Sequence, residues 1–183
     1  MNHFNKQWLI FKIHSPFQPK YVFFVTTQQL NATAFLIYAV EKLGTIEEMI
    51  MSYFRISVKS VDILRKLIEE NQLKKTYIML SELSTRDSNS AARSFEGLCI
   101  KYPDILAGGL AQTHTKVMCF KIKENYYTLS GSANITGTNA RIEQYSIIND
   151  KELYEFNKQW IINPETVLNQ SDAQFFGNRE VFK

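Results

Sequence analysis

The sequence predicts an α/β domain: a mixed β-sheet flanked by helices. Three observations predict it. Strand-like and helix-like segments alternate through the first half of the chain, a cluster of strand-like segments follows, and one more amphipathic helix closes the pattern. The 183 residues, 45% hydrophobic and 21% charged, suit one globular domain with a buried core. We expect that domain over residues 1–163 and a C-terminal tail over 164–183.

Tyr21 to Thr26 (YVFFVT) is aromatic and β-branched and reads as a buried strand. From Gln28 to Leu43, the apolar positions Leu30, Phe35, Leu36, Ala39, Val40 and Leu43 keep a helical rhythm, with Gly44 as the C-cap. Met49 to Ser57 reads as a second buried strand. Ser57 then caps a helix carrying Val61, Leu64, Leu67 and Ile68 and ending near Asn71. Thr76 to Leu80 is the next strand, and the polar stretch Ser81 to Ser90 reads as a loop. A helix from Ala91 to Tyr102 stops before Pro103, whose ring disfavours helical backbone in the residue before it. Strands follow at Ile105 to Ala111, Lys116 to Ile122, Tyr126 to Leu129 and Gln144 to Ile148. Asn149 with Glu152 resembles a capping box, opening a helix with Leu153, Phe156 and Trp160 on one face. The tail, polar but with Phe175, Phe176 and Phe182, is either frayed or an arm that docks, and the partner subunit is one place for it to dock.

The formal charge of +3 permits a polyanionic partner without arguing for one. Cys99 and Cys119 lie in apolar runs away from other metal-ligand types, and read as buried apolar residues with no disulfide and no metal site. The N-terminal apolar stretch is short, broken by Lys12 and followed by no cleavage site. With no run of transmembrane length, the expectation is a soluble cytoplasmic protein with no stable membrane association.

The chemistry concentrates between Gln112 and Asp150. His114 and Lys116 are two apart on a predicted strand and so share a face. If Glu124 is the centre of the turn that follows, His114 falls opposite Asn134 and Lys116 opposite Ser132. Gly131 stands where the second strand leaves the sheet, and would let backbone approach a ligand. The patch suits a phosphate: Lys116 supplies charge, Ser132 and Asn134 supply neutral donors, and His114 can attack phosphorus or move a proton near neutral pH. Glu143, just before the next strand, could reach this patch to orient His114 and fix its tautomer.

His114-x-Lys116, then Gly131-Ser132-x-Asn134, then Glu143, resembles the signature of the phospholipase D superfamily. The motif covers about a fifth of the chain directly, and the strand–helix alternation before it is similar to that family's domain. The resemblance implies a metal-independent, cofactor-free double displacement. One histidine attacks phosphorus, and a second protonates the leaving oxygen and then activates water. Carried over, His114 is nucleophile or general acid depending on the subunit, Lys116, Ser132 and Asn134 bind phosphate through their side chains and Gly131 through its backbone, and Glu143 supports His114. The family's motif has Asp at the fifth position after the Lys, and Lys121 stands there in this chain. Short bacterial nuclease members also lack that Asp, so the resemblance points to DNA, ahead of RNA, rather than lipid as substrate.

The other histidines, His3 and His14, are not followed by a Lys two positions on, so the chain holds one half-site. A twofold dimer would supply the second histidine, and we expect a homodimer. A lone histidine is more often core or surface than catalytic; here its company favours catalysis. Lys121 and Arg141 read first as solvated surface, as do Arg86 and Arg93, which flank the polar loop and could otherwise line a nucleic-acid groove. No nucleic-acid reading module is visible, so specificity would need another partner. The competing readings are a phospholipase or small-molecule phosphodiesterase of the same superfamily and a non-catalytic dimeric binding module.

Overall fold

The computed structural model describes residues 9–11, 21–26, 32–83, 89–135, 143–166 and 174–182. Several readings lie outside these residues: His3, His14, Lys12, Leu30, Arg86, Asp87 and Arg141, the start of the first predicted helix, and residues 167–173 of the tail.

The described strands are β1 (Leu9–Phe11), β2 (Tyr21–Thr26), β3 (Glu48–Tyr53), β4 (Thr76–Ser81), β5 (Leu106–Ala111), β6 (Lys116–Ile122), β7 (Asn125–Gly131), β8 (Glu143–Asn149) and β9 (Gln174–Phe176). They form one sheet in the order β1-β2-β8-β7-β6-β3-β4-β5-β9. Only β3–β4 and β4–β5 pair in parallel; every other neighbour is antiparallel, so the sheet is mixed as expected. The helices are α1 (Ala32–Leu43), α2 (Val58–Glu69), α3 (Asn89–Lys101) and α4 (Lys151–Ile162).

Both faces of the central strands are covered. Met49, Met51 and Tyr53 pack with Phe35, Leu36, Leu64 and Phe95 from α1, α2 and α3. Ile50, Tyr77 and Cys119 pack with Tyr154, Ile161 and Ile162 of α4 on the other face. Burial on two faces explains why β3 and β4 are apolar nearly throughout, where a strand with one wet face would alternate. Each such side chain contributes about 1.5–3 kcal/mol by leaving water.

Local chemistry sets the helix ends. Ser57 caps α2, its side chain accepting from the Ser60 N–H at 3.2 Å, and the helix ends at Glu69 with Asn71 in the left-handed region at φ 61°. Gly44, at φ +105°, follows α1 as expected. The cap of α4 is a correction: Asp150 accepts from the Leu153 N–H at 3.0 Å, because the Asn149 side chain already accepts from the Tyr126 N–H and donates to Asn125. The buried face of α4 differs too. Tyr154, Ile161 and Ile162 point inward and Phe156 is 65% exposed, because the Tyr154 hydroxyl donates to Glu48 at 2.7 Å while Lys158 closes an ion pair on the same carboxylate.

Two strands are additional to the sequence reading, β1 and β9. The described part of the tail docks on its own chain: β9 pairs with β5 and forms the edge of the sheet, and the buried Phe182 ring meets Tyr77 at 5.8 Å. Among the described residues, no helix is long and apolar enough to cross a membrane.

Candidate active site

β3, β4 and β5 run parallel, and the chain leaving the carboxyl end of β5 enters a short link, residues 112–115, before turning into β6. Crevices outside the carboxyl ends of parallel strands are where open α/β sheets place ligands. His114 lies in this link and Lys116 begins β6, so both stand at that edge.

His114 is exposed and Lys116 half-buried. The Lys116 ammonium donates to the His114 carbonyl at 3.2 Å and lies 3.5 Å from Nδ1. Burial lowers the Lys116 pKa from its ordinary value, with the Glu143 carboxylate pulling the other way. Glu143 is therefore close enough to be felt by Lys116.

Its hydrogen bond goes elsewhere than expected. The Ser132 hydroxyl donates to Glu143 and accepts from the Gln144 N–H at 3.1 Å, and no hydrogen bond joins Glu143 to His114. Where Nδ1 accepts from the Lys116 ammonium, a neutral His114 carries its proton on Nε2. The nucleophilic form needs the opposite tautomer.

The hairpin register also differs from the Glu124-centred expectation. Ile122 pairs with Asn125 and Val117 with Ser130 around a two-residue turn, Lys123-Glu124. Carried one residue further, that ladder sets Lys116 opposite Gly131, where Ser132 was expected. Gly131 serves packing: a Cβ there would meet the Tyr145 ring at 2.3 Å, so its side-chain space is filled by Tyr145.

Asn134 follows in a segment fixed by Ile135, whose carbonyl accepts from the Ser57 N–H at 3.0 Å and from the Ser60 hydroxyl at 2.9 Å. No hydrogen bond joins His114 to Asn134, but both converge on the link between β3 and α2: Ile56 bridges Ile135, and the Phe54 ring lies 4.7 Å from the His114 imidazole. The Asn134 Oδ1 is buried and takes no hydrogen bond among the described residues, an acceptor waiting for a donor.

Lys121 pairs with Glu47 at 2.8 Å, five residues along β6 from Lys116 and so about 17 Å from it. A carboxylate at that position would not reach His114 in this chain. Arg93 is exposed on α3. Sequence reasoning missed Phe54, Arg55, Ser52 and the threonines flanking His114. Their signal was the turn at the end of β3 and the pattern Thr-His-Thr at the end of β5.

No protein-family model matches this sequence, and no curated protein matches it at a significant level. Solved structures do match. A polyphosphate kinase from Porphyromonas gingivalis shares 10% identity at a TM-score of 0.53, over 81% of this chain and 26% of that one. A phosphatidylserine synthase from Haemophilus influenzae Rd KW20 shares 13% identity at 0.49, over 87% and 41%. An archaeal chromatin protein, reported to show a novel mode of DNA binding, shares 14% at 0.48, over 79% and 52%. The chain thus spans about half or less of each. At such identities only the fold is carried, and the kinase likeness agrees with a mixed sheet flanked by helices.

Proposed function

We propose that the chain is a metal-independent phosphodiesterase that cuts DNA internally through a phosphohistidine, with two copies of the chain completing one site. One observation carries this reading: an exposed imidazole and a half-buried ammonium share one edge of the sheet, with Lys116 Nζ 3.5 Å from His114 Nδ1 and the Ser132–Glu143 pair nearby. The resemblance of the same residues to the phospholipase D signature adds the reaction type.

The chemistry follows from these groups. A phosphodiester at this edge takes Lys116 as its charge partner and draws Nζ away from Nδ1, because a charge-assisted hydrogen bond to phosphate outweighs a contact at 3.5 Å. His114 is then free to hold its proton on Nδ1 and offer the Nε2 lone pair. Nε2 attacks phosphorus, the bond to the leaving oxygen breaks, and the partner's His114, protonated, gives that oxygen its proton. Water next yields a proton to the partner's His114 and its oxygen to phosphorus as the P–N bond breaks. The sum is a phosphodiester and water converted to a phosphomonoester and an alcohol. Asn134 contacts phosphate through its amide N–H groups, and Ser132 does so once its hydroxyl proton turns from Glu143 to the phosphate.

DNA is preferred to lipid on the sequence: Lys121 replaces the Asp of the family motif, as in short nuclease members. The test is digestion of plasmid and single-stranded DNA in excess EDTA by wild type and His114→Ala. Cleavage by the wild type alone, with both proteins folded alike, is expected. Cleavage that requires added metal sinks the phosphohistidine route, and no cleavage of any phosphodiester returns the chain to a binding module.

A further inference from the structure

Residues 113–115 belong to no strand. The ladders that fix β5 and β6 therefore stop short of His114, and something else must hold it. The end of β3 does so through two contacts. Ser52, fully buried, shares hydroxyl hydrogen bonds with Thr113 at 3.2 Å and Thr115 at 2.6 Å. The two threonines bond each other at 2.8 Å, closing a triangle of hydroxyls around the residue between them. Two residues on from Ser52, the half-buried Phe54 ring meets the imidazole itself, with centroids 4.7 Å apart and planes inclined by 46°.

Phe54 belongs to neither core cluster. Its ring meets His114 and the Arg55 guanidinium, 5.1 Å from the ring centroid, rather than the interior of the sheet. A half-exposed phenylalanine at the edge that carries the reactive histidine is poorly explained by burial. An exposed imidazole, in turn, samples several rotamers unless a neighbour selects one.

We propose that Ser52 and Phe54 are positioning residues for His114. Ser52 fixes the backbone at 113–115 through the two threonines, and Phe54 fixes the plane of the imidazole. The proposal rests on the phosphodiesterase reading. In-line attack needs the nitrogen about 3–3.5 Å from phosphorus with its lone pair aligned, and a displacement of about 1 Å costs on the order of 100-fold in rate. Lys116, at 3.5 Å, is too distant from Nδ1 to impose that alignment alone.

The experiment compares wild type, Phe54→Leu, Phe54→Tyr and Ser52→Ala with bis(p-nitrophenyl) phosphate as the probe. It follows kcat and KM separately, alongside thermal unfolding and the imidazole proton resonances of His114. Phe54→Leu should lower kcat by about 10-fold or more and change KM by less than about two-fold, because only the reacting geometry is lost. The His114 resonances should shift as the ring current disappears. Phe54→Tyr, which keeps the ring, should restore both readouts, and Ser52→Ala should lower kcat in the same pattern. If Phe54→Leu does not fold, Phe54→Met, similar in volume and flexible, takes its place. Wild-type turnover with an undiminished kcat in the leucine or methionine variant overturns the positioning role and leaves the phosphodiesterase reading intact. A wild type that cuts neither the probe nor DNA overturns both.

Discussion

The Tyr145 ring lies on the bare Cα of Gly131, so close that a methyl group on that glycine would meet Cδ1 at 2.3 Å and Cε1 at 2.7 Å. Tyr145 is buried and tilts against Phe35 of α1 at 4.8 Å, so the ring has nowhere easy to go. The glycine of the Gly-Ser pair thus joins Ser132 to the core.

Gly131→Ala should therefore destabilise by about 1–3 kcal/mol, as overpacking does in closed sites. Gly97, on α3 with nothing within 4 Å of a built Cβ, makes the opposite case. Gly97→Ala should stabilise by about 0.5–1 kcal/mol, since alanine suits a helix better than glycine. Denaturant unfolding measures both. Gly131→Ala at wild-type stability would show that the Tyr145 ring gives way at little cost.

Cys99 and Cys119 should be inert in the folded protein. Burial pushes both thiols up, to about 12, so at pH 8 nearly none is thiolate, the form that reacts. A thiol reagent at pH 8 should label neither within minutes, and both on addition of denaturant. Rapid labelling of the native protein by one equivalent would contradict the burial of that cysteine.

If Lys116 binds phosphate as proposed, its ionisation sets a pH limit on that binding. Burial holds its pKa below the ordinary 10.5, so the charged form is disfavoured in the fold relative to the unfolded chain. The sign follows: stability tied to this group rises as pH climbs through the folded pKa, whereas affinity for an anion falls, because the ammonium that binds it is lost. Binding of inorganic phosphate or vanadate should weaken on the alkaline side before pH 10.5. In Lys116→Arg, whose guanidinium stays charged, that decline should vanish. Titration of binding by calorimetry or spectroscopy separates the two, and identical alkaline declines would remove Lys116 from the site.

Much of this molecule was legible because hydrophobic period and cap chemistry agree. Ser57 before the apolar rhythm of α2 is both an expected and an observed cap. Strand β6 runs over the expected Lys116–Ile122 because apolar residues fill both its faces. What failed was the pairing of short polar groups. The Lys-Glu-Asn turn suggested Glu124 as its centre, yet Asn125 joins the ladder because its side chain accepts from Asn149 at 2.8 Å, and Lys123 takes the left-handed conformation at φ 53°. One residue of slip reassigns every cross-strand partner. Glu143 could be placed near the site from sequence, but its bond to Ser132 depends on how β7 leaves the sheet, which no local pattern encodes. The sequence also left β1 and β9 unread, since three-residue edge strands carry too little period to see.

The proposed dimer can be tested by mixing. If each site needs two copies of His114, a mixed dimer of wild type and His114→Ala holds no complete pair. Equal amounts of the two proteins, exchanged to equilibrium, would place about one quarter of the protein in wild-type dimers, one half in mixed dimers and one quarter in variant dimers. Activity should then fall to about half of that from the same wild-type protein diluted with buffer, because half of the wild-type chains sit in dead pairs. Independent monomers would lose nothing on mixing. Subunit exchange is confirmed separately with differently tagged chains. Full additivity after proven exchange would mean that one imidazole suffices, and the nucleophile and the acid would then have to be sought within a single chain.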